Sequence, residues 1–306
     1  MQVTITGATG LVGSRLVERL LARGDQVTVV SRDADRARRA LGDVEAHGWD
    51  ADGGDDAALA AALRGRDAVV NLAGETVNQR WSDEAKRRIR DSRVATTRRL
   101  VAALAGLPED ERPATLVSGS ASGYYGDSGD AVVTEDAPAG PEDDFLAAMA
   151  AAWEAEAGAA AELGLRVVAV RTGLVLAGQG GALPVIAKPL RTGLGGWIGH
   201  GRQYVPWIHL DDEVGLQLAA LDHAGFRGPI NASAPAPVTN KAFSKAIGRA
   251  IGRPVLVPVP ALALRAALGE RAQLVTDSSR MVPGRVPELG YAFAHPDLDE
   301  ALGDLL

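Results

Sequence analysis

The sequence predicts an α/β fold: a doubly wound parallel sheet carrying a smaller, mostly helical C-terminal lobe. Three observations predict it. Strand and helix patterns alternate through the first two thirds of the 306 residues, the mark of βαβ units whose sheet is covered on both faces. Three glycines, Gly7, Gly10 and Gly13, punctuate the passage from the first strand to the first helix. Beyond about residue 175 the alternation gives way to glycine, proline and aromatic residues.

The elements follow in order. Gln2–Thr6 is a short β-rich run. Leu11–Ala22 sets Leu11, Val12, Leu16, Leu20 and Leu21 on one helical face. Gln26–Val30 is the second strand, ended by Ser31-Arg32-Asp33, and a helix follows at about Ala34–Leu41. Asp67–Leu72 reads as a buried strand. Ser82 caps a single long helix expected from about Asp83 to Leu104, its hydroxyl accepting from an orphan N–H. Ala114–Ser118 is a strand, Asp144–Leu163 an alanine-rich helix, and Leu165–Val170 another strand. The C-terminal stretch has helical patterns at about Asn240–Ile251, Ala261–Leu268 and Pro296–Leu305. No low-complexity linker interrupts the chain. Residues 1–175 with about 205–235 are therefore expected to form the sheet domain, and about 176–204 with 236–306 a lobe packed on it. The cleft between them is the default ligand site.

Composition narrows the functional classes. The net charge is −7, and the densest basic run, "RDADRARRA", mixes acids among its arginines. It reads as a solvated helix face, so no nucleic-acid partner is expected. The chain has no cysteine, which excludes disulfides, thiolate metal sites and a cysteine nucleophile, and fits a reducing cytoplasm. No stretch approaches the roughly 18 apolar residues of a membrane span. The start enters a strand pattern at residue 2 without a basic region, so no signal peptide is expected. No His, Asp or Glu set has ligand spacing on one face, and no metal site is expected.

The glycines point to a ligand. In "TGATGLVG", glycine permits a tight turn, lets backbone approach a pyrophosphate and lets the helix pack close to the strand. The helix N-terminus then offers free N–H groups and a positive dipole end to phosphates. The strand–turn–helix context makes this a Rossmann-type dinucleotide site contributed by Gly7, Thr9, Gly10, Leu11, Val12 and Gly13. At the tip of the second strand stand Ser31 and Arg32. A carboxylate there would grip a ribose 2′-OH, whereas a basic residue suits a 2′-phosphate. Arg32 can stack on adenine and bind a phosphate bidentately; the alternative is a solvated surface arginine. Asp33 reads as a helix N-cap rather than a ribose ligand. NADP is therefore expected as cofactor, with NADPH preferred over NADH.

"TGATGLVG" resembles the extended branch of the short-chain dehydrogenase/reductase superfamily. So do "NLAGE" (Asn71–Glu75), "SGSASGYYGDSGD" (Ser118–Asp130), "RTGLVLAG" (Arg171–Gly178) and "WIHLDD" (Trp207–Asp212), in the expected order over about residues 2–215. A narrower resemblance covers the whole chain. "NLAGETVNQRWSDEAKRRIRDSRV", "FLAAMAAAWEAEA", "GHGRQYVPWIHLDD" and "PVPALALRAALGERAQ" look like the bacterial epimerase-family proteins that end in a domain of unknown function. The resemblance implies an NADP-dependent epimerase or oxidoreductase, with Leu72, Ala73 and Gly74 beside the cofactor. It also implies a homodimer through the helices at about Asp83–Leu104 and Asp144–Leu163.

Two departures matter. The superfamily's Tyr-x-x-x-Lys pair shares one helix face. Here the matching helix offers Phe145 with Met149, or Asp144 with Ala148. Either other groups handle the proton or the reaction differs. The substitutes are Ser120, Tyr124, Tyr125 and Glu75. Ser120 is otherwise a turn hydroxyl, the tyrosines packed aromatics, and Glu75 a partner of Arg80 or Arg93. The second departure is Val205, which stands where nucleotide-sugar relatives carry a diphosphate-binding arginine, so a nucleotide sugar is not favoured. Trp197, Gln203, Trp207 and His209 are expected to face an unidentified small-molecule substrate, with His209 alternatively held by Asp211 or Asp212. A non-catalytic NADP(H)-binding regulatory or sensor protein is the alternative function.

Overall fold

The computed structural model describes residues 1–193 and 195–306. Seven parallel strands form its sheet: β1 (Gln2–Thr6), β2 (Gln26–Ser31), β3 (Glu45–Gly48), β4 (Ala68–Asn71), β5 (Thr115–Ala121), β6 (Arg166–Thr172) and β7 (Gly228–Ala232). Their spatial order is β7-β6-β5-β4-β1-β2-β3. The order reverses beside β1, between two outward-running halves. The crevice at the carboxyl ends of β1 and β4 is therefore the topological switch point where such sheets bind ligands.

The helices are α1 (Leu11–Ala22), α2 (Ala34–Leu41), α3 (Asp56–Leu63), α4 (Asp83–Asp91), α5 (Val94–Ala105), α6 (Phe145–Gly158), α7 (Leu183–Arg191), α8 (Leu210–Asp222), α9 (Asn240–Ala250) and α10 (Ala261–Leu268), with a last helix at Leu298–Leu305. Two apolar clusters sandwich the sheet. One packs Leu16, Val17 and Leu20 of α1 and Val214 and Leu216 of α8 on Val3, Ile5 and Val29. The other packs Leu59, Leu63, Leu100 and Leu104 on Val69 and Leu116. The central strands β1, β4 and β5 are thus buried on both faces, as their apolar runs require. A third cluster, built from Leu183, Trp207, Phe243, Ile247 and Leu302 among others, is the core of the C-terminal lobe. No helix among the described residues is long and apolar enough to cross a membrane.

Five of these elements go beyond the sequence pattern: β3, α3, α7, α8 and β7. One element differs from it. The long helix expected over Asp83–Leu104 is two helices, α4 and α5, broken at Ser92 and Arg93. The break has a side-chain cause. Ser92 Oγ donates to the Ile89 carbonyl at 2.9 Å and accepts from the Glu75 N–H at 2.9 Å. Arg93 Nη1 donates to the carbonyls of Glu75 at 2.9 Å and Ile89 at 3.0 Å. Both residues therefore tie α4 to the loop after β4. Ser82 does cap α4, accepting from Ala85 N at 3.2 Å.

Candidate functional site

The turn after β1 is built for close approach. Gly7 has φ +70°, and a Cβ there would collide with the Leu72 carbonyl of the neighbouring loop. Gly13 lies against the Gly7 carbonyl, so α1 starts directly on the turn. Gly10 is the N-cap of α1 and makes no side-chain cap, leaving the helix-end N–H groups for an outside acceptor. The loop Leu72–Gly74 is fixed from below. Thr6 Oγ1 donates to Asn71 Oδ1 at 2.7 Å, and Asn71 Nδ2 donates to Thr97 Oγ1 at 2.7 Å. Ala73 N–H donates to Thr6 Oγ1 at 3.3 Å.

Between these two turns and the end of β2 opens a cleft of about 670 Å³. Gly7, Thr9, Gly10, Ser31, Arg32, Leu72, Ala73, Gly74 and Glu75 line it. Leu11, Val12 and Gly13 do not. Leu11 packs towards Gly181, where a Cβ would sit 2.9 Å from its Cδ2, and Val12 packs on the sheet core. Arg32, Arg36 and Arg87 line the cleft without a side-chain hydrogen bond or ion pair among the described residues. Asp33 caps α2, accepting from Arg36 N at 2.8 Å. Arg36 and Arg87 escaped the sequence reading. Arg36 lies one turn into α2, and Arg87 hides in the charged run "EAKRRIRD".

Glu75 faces Arg88 at 3.3 Å rather than Arg80, and Gln79 Nε2 donates to it at 2.8 Å. The Gln79 bond, with Arg88 and the charge of Arg32, holds its carboxyl below the usual range against burial, which is the second-largest effect and pushes the other way. That favours the ionised form. Arg93 donates to its carbonyl, not to its carboxylate.

Ser120 lies at the carboxyl end of β5 and is buried. Its Oγ donates to Glu154 Oε1 at 2.5 Å. Arg171 grips the same carboxylate bidentately, Nε to Oε1 at 2.8 Å and Nη2 to Oε2 at 2.9 Å. Arg171 Nη1 also donates to the Tyr125 hydroxyl at 2.8 Å, which in turn donates to Asn231 Oδ1 at 2.6 Å. Burial pushes the Tyr125 hydroxyl up to about 12, although Arg171 works against the shift. Tyr125 is thus a core hydroxyl, whereas Tyr124 is half-buried with the Arg171 guanidinium 3.5 Å from its ring centroid. Glu154 and Arg171 are functional candidates as site-positioning groups that periodicity could not pair, because they lie on different elements. Phe145 opens α6 with its ring edge-on to Trp81 at 5.2 Å and the Lys86 ammonium 5.6 Å from its centroid.

The four residues expected to face a substrate are dispersed. Trp207 is 1% exposed in the core of the C-terminal lobe. Gln203 is buried, and its Nε2 donates to the Ile198 and Val275 carbonyls at 3.2 and 3.3 Å. His209 is buried, its Nδ1 accepting the Asp211 N–H at 3.1 Å as the N-cap of α8. The alternative reading, a histidine engaged by Asp211, matches this placement. Only Trp197 stays half-open, with the Lys241 ammonium 4.5 Å from its ring centroid. The alternation of small and aromatic residues gave no sign that this segment strings a core together. The fold also brings His209, Asp211 and His295 together, with donor atoms within 4.8 Å of one another, a grouping that sequence spacing did not suggest. Arg15 Nε donates to Asp211 Oδ1 at 2.9 Å and the Asp211 N–H to His209 Nδ1 at 3.1 Å, the two imidazoles stack at 3.8 Å, and His209 Nε2 is buried with no hydrogen-bond partner among the described residues.

Comparison with known proteins agrees with this geometry. Residues 3–232 match the model of the NAD dependent epimerase/dehydratase family, and residues 259–305 match a domain of unknown function, DUF1731. The chain is 37% identical over 302 residues to the epimerase family protein SDR39U1 homolog, chloroplastic, of Arabidopsis thaliana, covering 99% of this chain and 86% of the relative. It is 36% identical over 307 residues to the epimerase family protein YfhF of Bacillus subtilis, covering 100% and 98%. Among solved structures, the human epimerase family protein SDR39U1 (isoform 2) with NADPH superposes with a TM-score of 0.85 at 34% identity, covering 100% and 99% of the two chains. The Bacillus cereus UDP-glucuronic acid 4-epimerase in complex with UDP-glucuronic acid and NAD shares the fold, with a TM-score of 0.78 at 16% identity. By its sheet, its glycine turn and these matches, the chain belongs to the NAD dependent epimerase/dehydratase family.

Proposed function

We propose that this chain is an NADP(H)-dependent oxidoreductase or epimerase acting on a small molecule that is not a nucleotide sugar. One observation carries the cofactor choice: Arg32, Arg36 and Arg87 line the cleft with no side-chain partner among the described residues, while Asp33 caps α2. Such free cations suit a 2′-phosphate, beside the carboxylates of Asp33, Asp50 and Asp52 that also line the cleft. The NADPH in the human SDR39U1 structure supports the same reading. The residues present fit the group, since Gly10 lines the cleft and leaves the first N–H groups of α1 without a side-chain cap. Gly7, Thr9 and Gly10 would hold the pyrophosphate, and Ser31 and Arg32 the 2′-phosphate. When bound, the nicotinamide would supply or accept the hydride.

In this reading Ser120 would handle the proton. Its hydroxyl donates to Glu154, so its lone pairs are left to accept from a substrate hydroxyl. Arg171 keeps that carboxylate in place. Tyr124 is the second candidate. Glu75, held ionised, suits a base rather than an acid. The cysteine-free composition is in keeping with a cytoplasmic location.

The test is a calorimetric titration with NADPH and NADH, on the protein and on Arg32→Ala. NADPH is expected to bind more tightly, with the variant losing about tenfold or more of that preference, the weight of one charged hydrogen-bonded pair. Equal affinity for both nucleotides, unchanged in the variant, would refute the assignment. The alternative is a non-catalytic NADP(H)-binding regulatory protein. Phe145 and Met149 in place of the tyrosine and lysine favour it. It predicts NADPH-dependent protease protection with no NADPH oxidation across a panel of carbonyl compounds.

A further inference from the structure

A guanidinium with no ion-pair partner among the described residues lies behind Gly74, a residue of the cleft wall. Arg93, half-buried at the start of α5, uses Nη1 to hold the Glu75 and Ile89 carbonyls. Its Nε and Nη2 have no hydrogen-bond acceptor among the described residues. Its plane lies against Gly74: a Cβ there would sit 2.8 Å from Cζ, 3.0 Å from Nη2 and 3.1 Å from Nε. Gly74 itself lines the cleft. The Trp153 ring lies 5.4 Å from Cζ. Burial pulls the guanidinium down to about 10, and the Glu75 carboxylate opposes this only through space, being bonded to Gln79 and Arg88 instead.

A half-buried charge without a partner forfeits part of its hydration. The helix break explains Nη1 alone. A lysine could donate to the same two carbonyls, whereas a planar fork with two free N–H groups matches a phosphoryl or carboxylate group. The glycine at 74 removes the side chain that would cover this fork.

We propose that Arg93 forms an oxyanion subsite beneath Gly74, taking a phosphoryl or carboxylate group of a ligand through Nε and Nη2. The proposal deepens the cofactor reading above and rests on it for one of two sources, a phosphate of the dinucleotide. The other source is an acidic group on the substrate.

Arg93→Gln and Arg93→Lys are compared with the parent protein by calorimetry. The probes are NADPH, and inorganic phosphate titrated onto the free and the NADPH-saturated protein. If the subsite takes a cofactor phosphate, Arg93→Gln weakens NADPH about tenfold or more, and phosphate binds only the free protein. If it takes a substrate acid, NADPH affinity holds, and phosphate binding to the NADPH-saturated protein is lost in Arg93→Gln. Arg93→Lys keeps the cation, and partial recovery in either arm separates charge from a folding defect. Should Arg93→Gln not fold, Arg93→Lys alone decides, with a loss of at least threefold expected. Affinities for both probes within twofold of the parent in the folded variants would overturn the proposal. If the parent binds no NADPH, the cofactor reading fails, and phosphate binding to the free protein still decides the subsite.

Discussion

Replacing Glu213 by glutamine should make the fold more stable at neutral pH, and the size of the effect can be worked from the structure. Glu213 on α8 is 1% exposed. Its Oε1 accepts from Thr172 Oγ1 at 3.0 Å and from Gln217 Nε2 at 3.1 Å. No cation pairs with it among the described residues. Its Oε2 and the Gln217 Oε1 are both buried without a donor. A proton on Glu213 introduces a donor beside that second orphan, and a glutamine amide would do the same. Burial pushes the carboxyl up from 4.5 to about 7, with the two hydrogen bonds opposing the rise only in part. Below pH 4.5 the group is protonated folded and unfolded, and costs nothing. Between 4.5 and about 7 the unfolded chain ionises while the fold keeps its proton, so stability falls as pH rises. About 2.5 pH units at about 1.4 kcal/mol each gives a loss of about 3 kcal/mol, complete above pH 7. Glu213→Gln has no such titration. Urea unfolding of both proteins between pH 5 and 8 should show the curves diverging, with the variant more stable by up to about 3 kcal/mol at pH 8. The other titrating groups cancel in the difference. Parallel curves across that range would mean that the fold tolerates an ionised Glu213, and the burial argument would be wrong.

Two further substitutions test the cradle and the core. Gly7→Ala places a Cβ at φ +70° against the Leu72 carbonyl; a loss of about 1–3 kcal/mol in stability and of most NADPH affinity is expected, measured by urea unfolding and calorimetry. A variant that binds NADPH normally would show that the turn does not touch the cofactor. Tyr125→Phe removes the hydroxyl shared by Arg171 and Asn231 and should cost about 1–3 kcal/mol with NADPH affinity unchanged. Lowered affinity at unchanged stability would put that hydroxyl in the ligand site after all.

The fold was legible where one physical cause acts locally. The turn at Gly7 through Gly13 announces itself because only glycine tolerates both the positive φ at Gly7 and the backbone contact at Gly13. The caps at Ser82 and Asp33 were equally visible, since each serves an N–H three residues away. The strand β3, "EAHG", was not. It is four residues long at the sheet edge, with a single buried alanine and no alternation to read. The break at Ser92 was hidden for a different reason. The run from Asp83 to Leu104 has helical periodicity throughout, and what ends α4 is a set of bonds to a loop 17 and 18 residues earlier.

The same distinction governs the site. Arg32 could be assigned from the strand it terminates, but Arg87 reaches the cleft from α4, a helix placed by the chain after β4. Ser120, Glu154 and Arg171 come from three successive elements, β5, α6 and β6. Their meeting follows from pairing β5 beside β6, Ser120 opposite Arg171 in register, with α6 crossing over between them. Without Arg171, Glu154 would be a buried carboxylate, and without Glu154, Arg171 would be a buried cation against two tyrosines. Removing one partner of such a pair costs about 3–5 kcal/mol, so the two residues hold each other in the fold whatever chemistry occurs above them. The serine hydroxyl inherits that rigidity. Position 120 is thus fixed by an ion pair that joins α6 to β6 rather than by a contact one helical turn away.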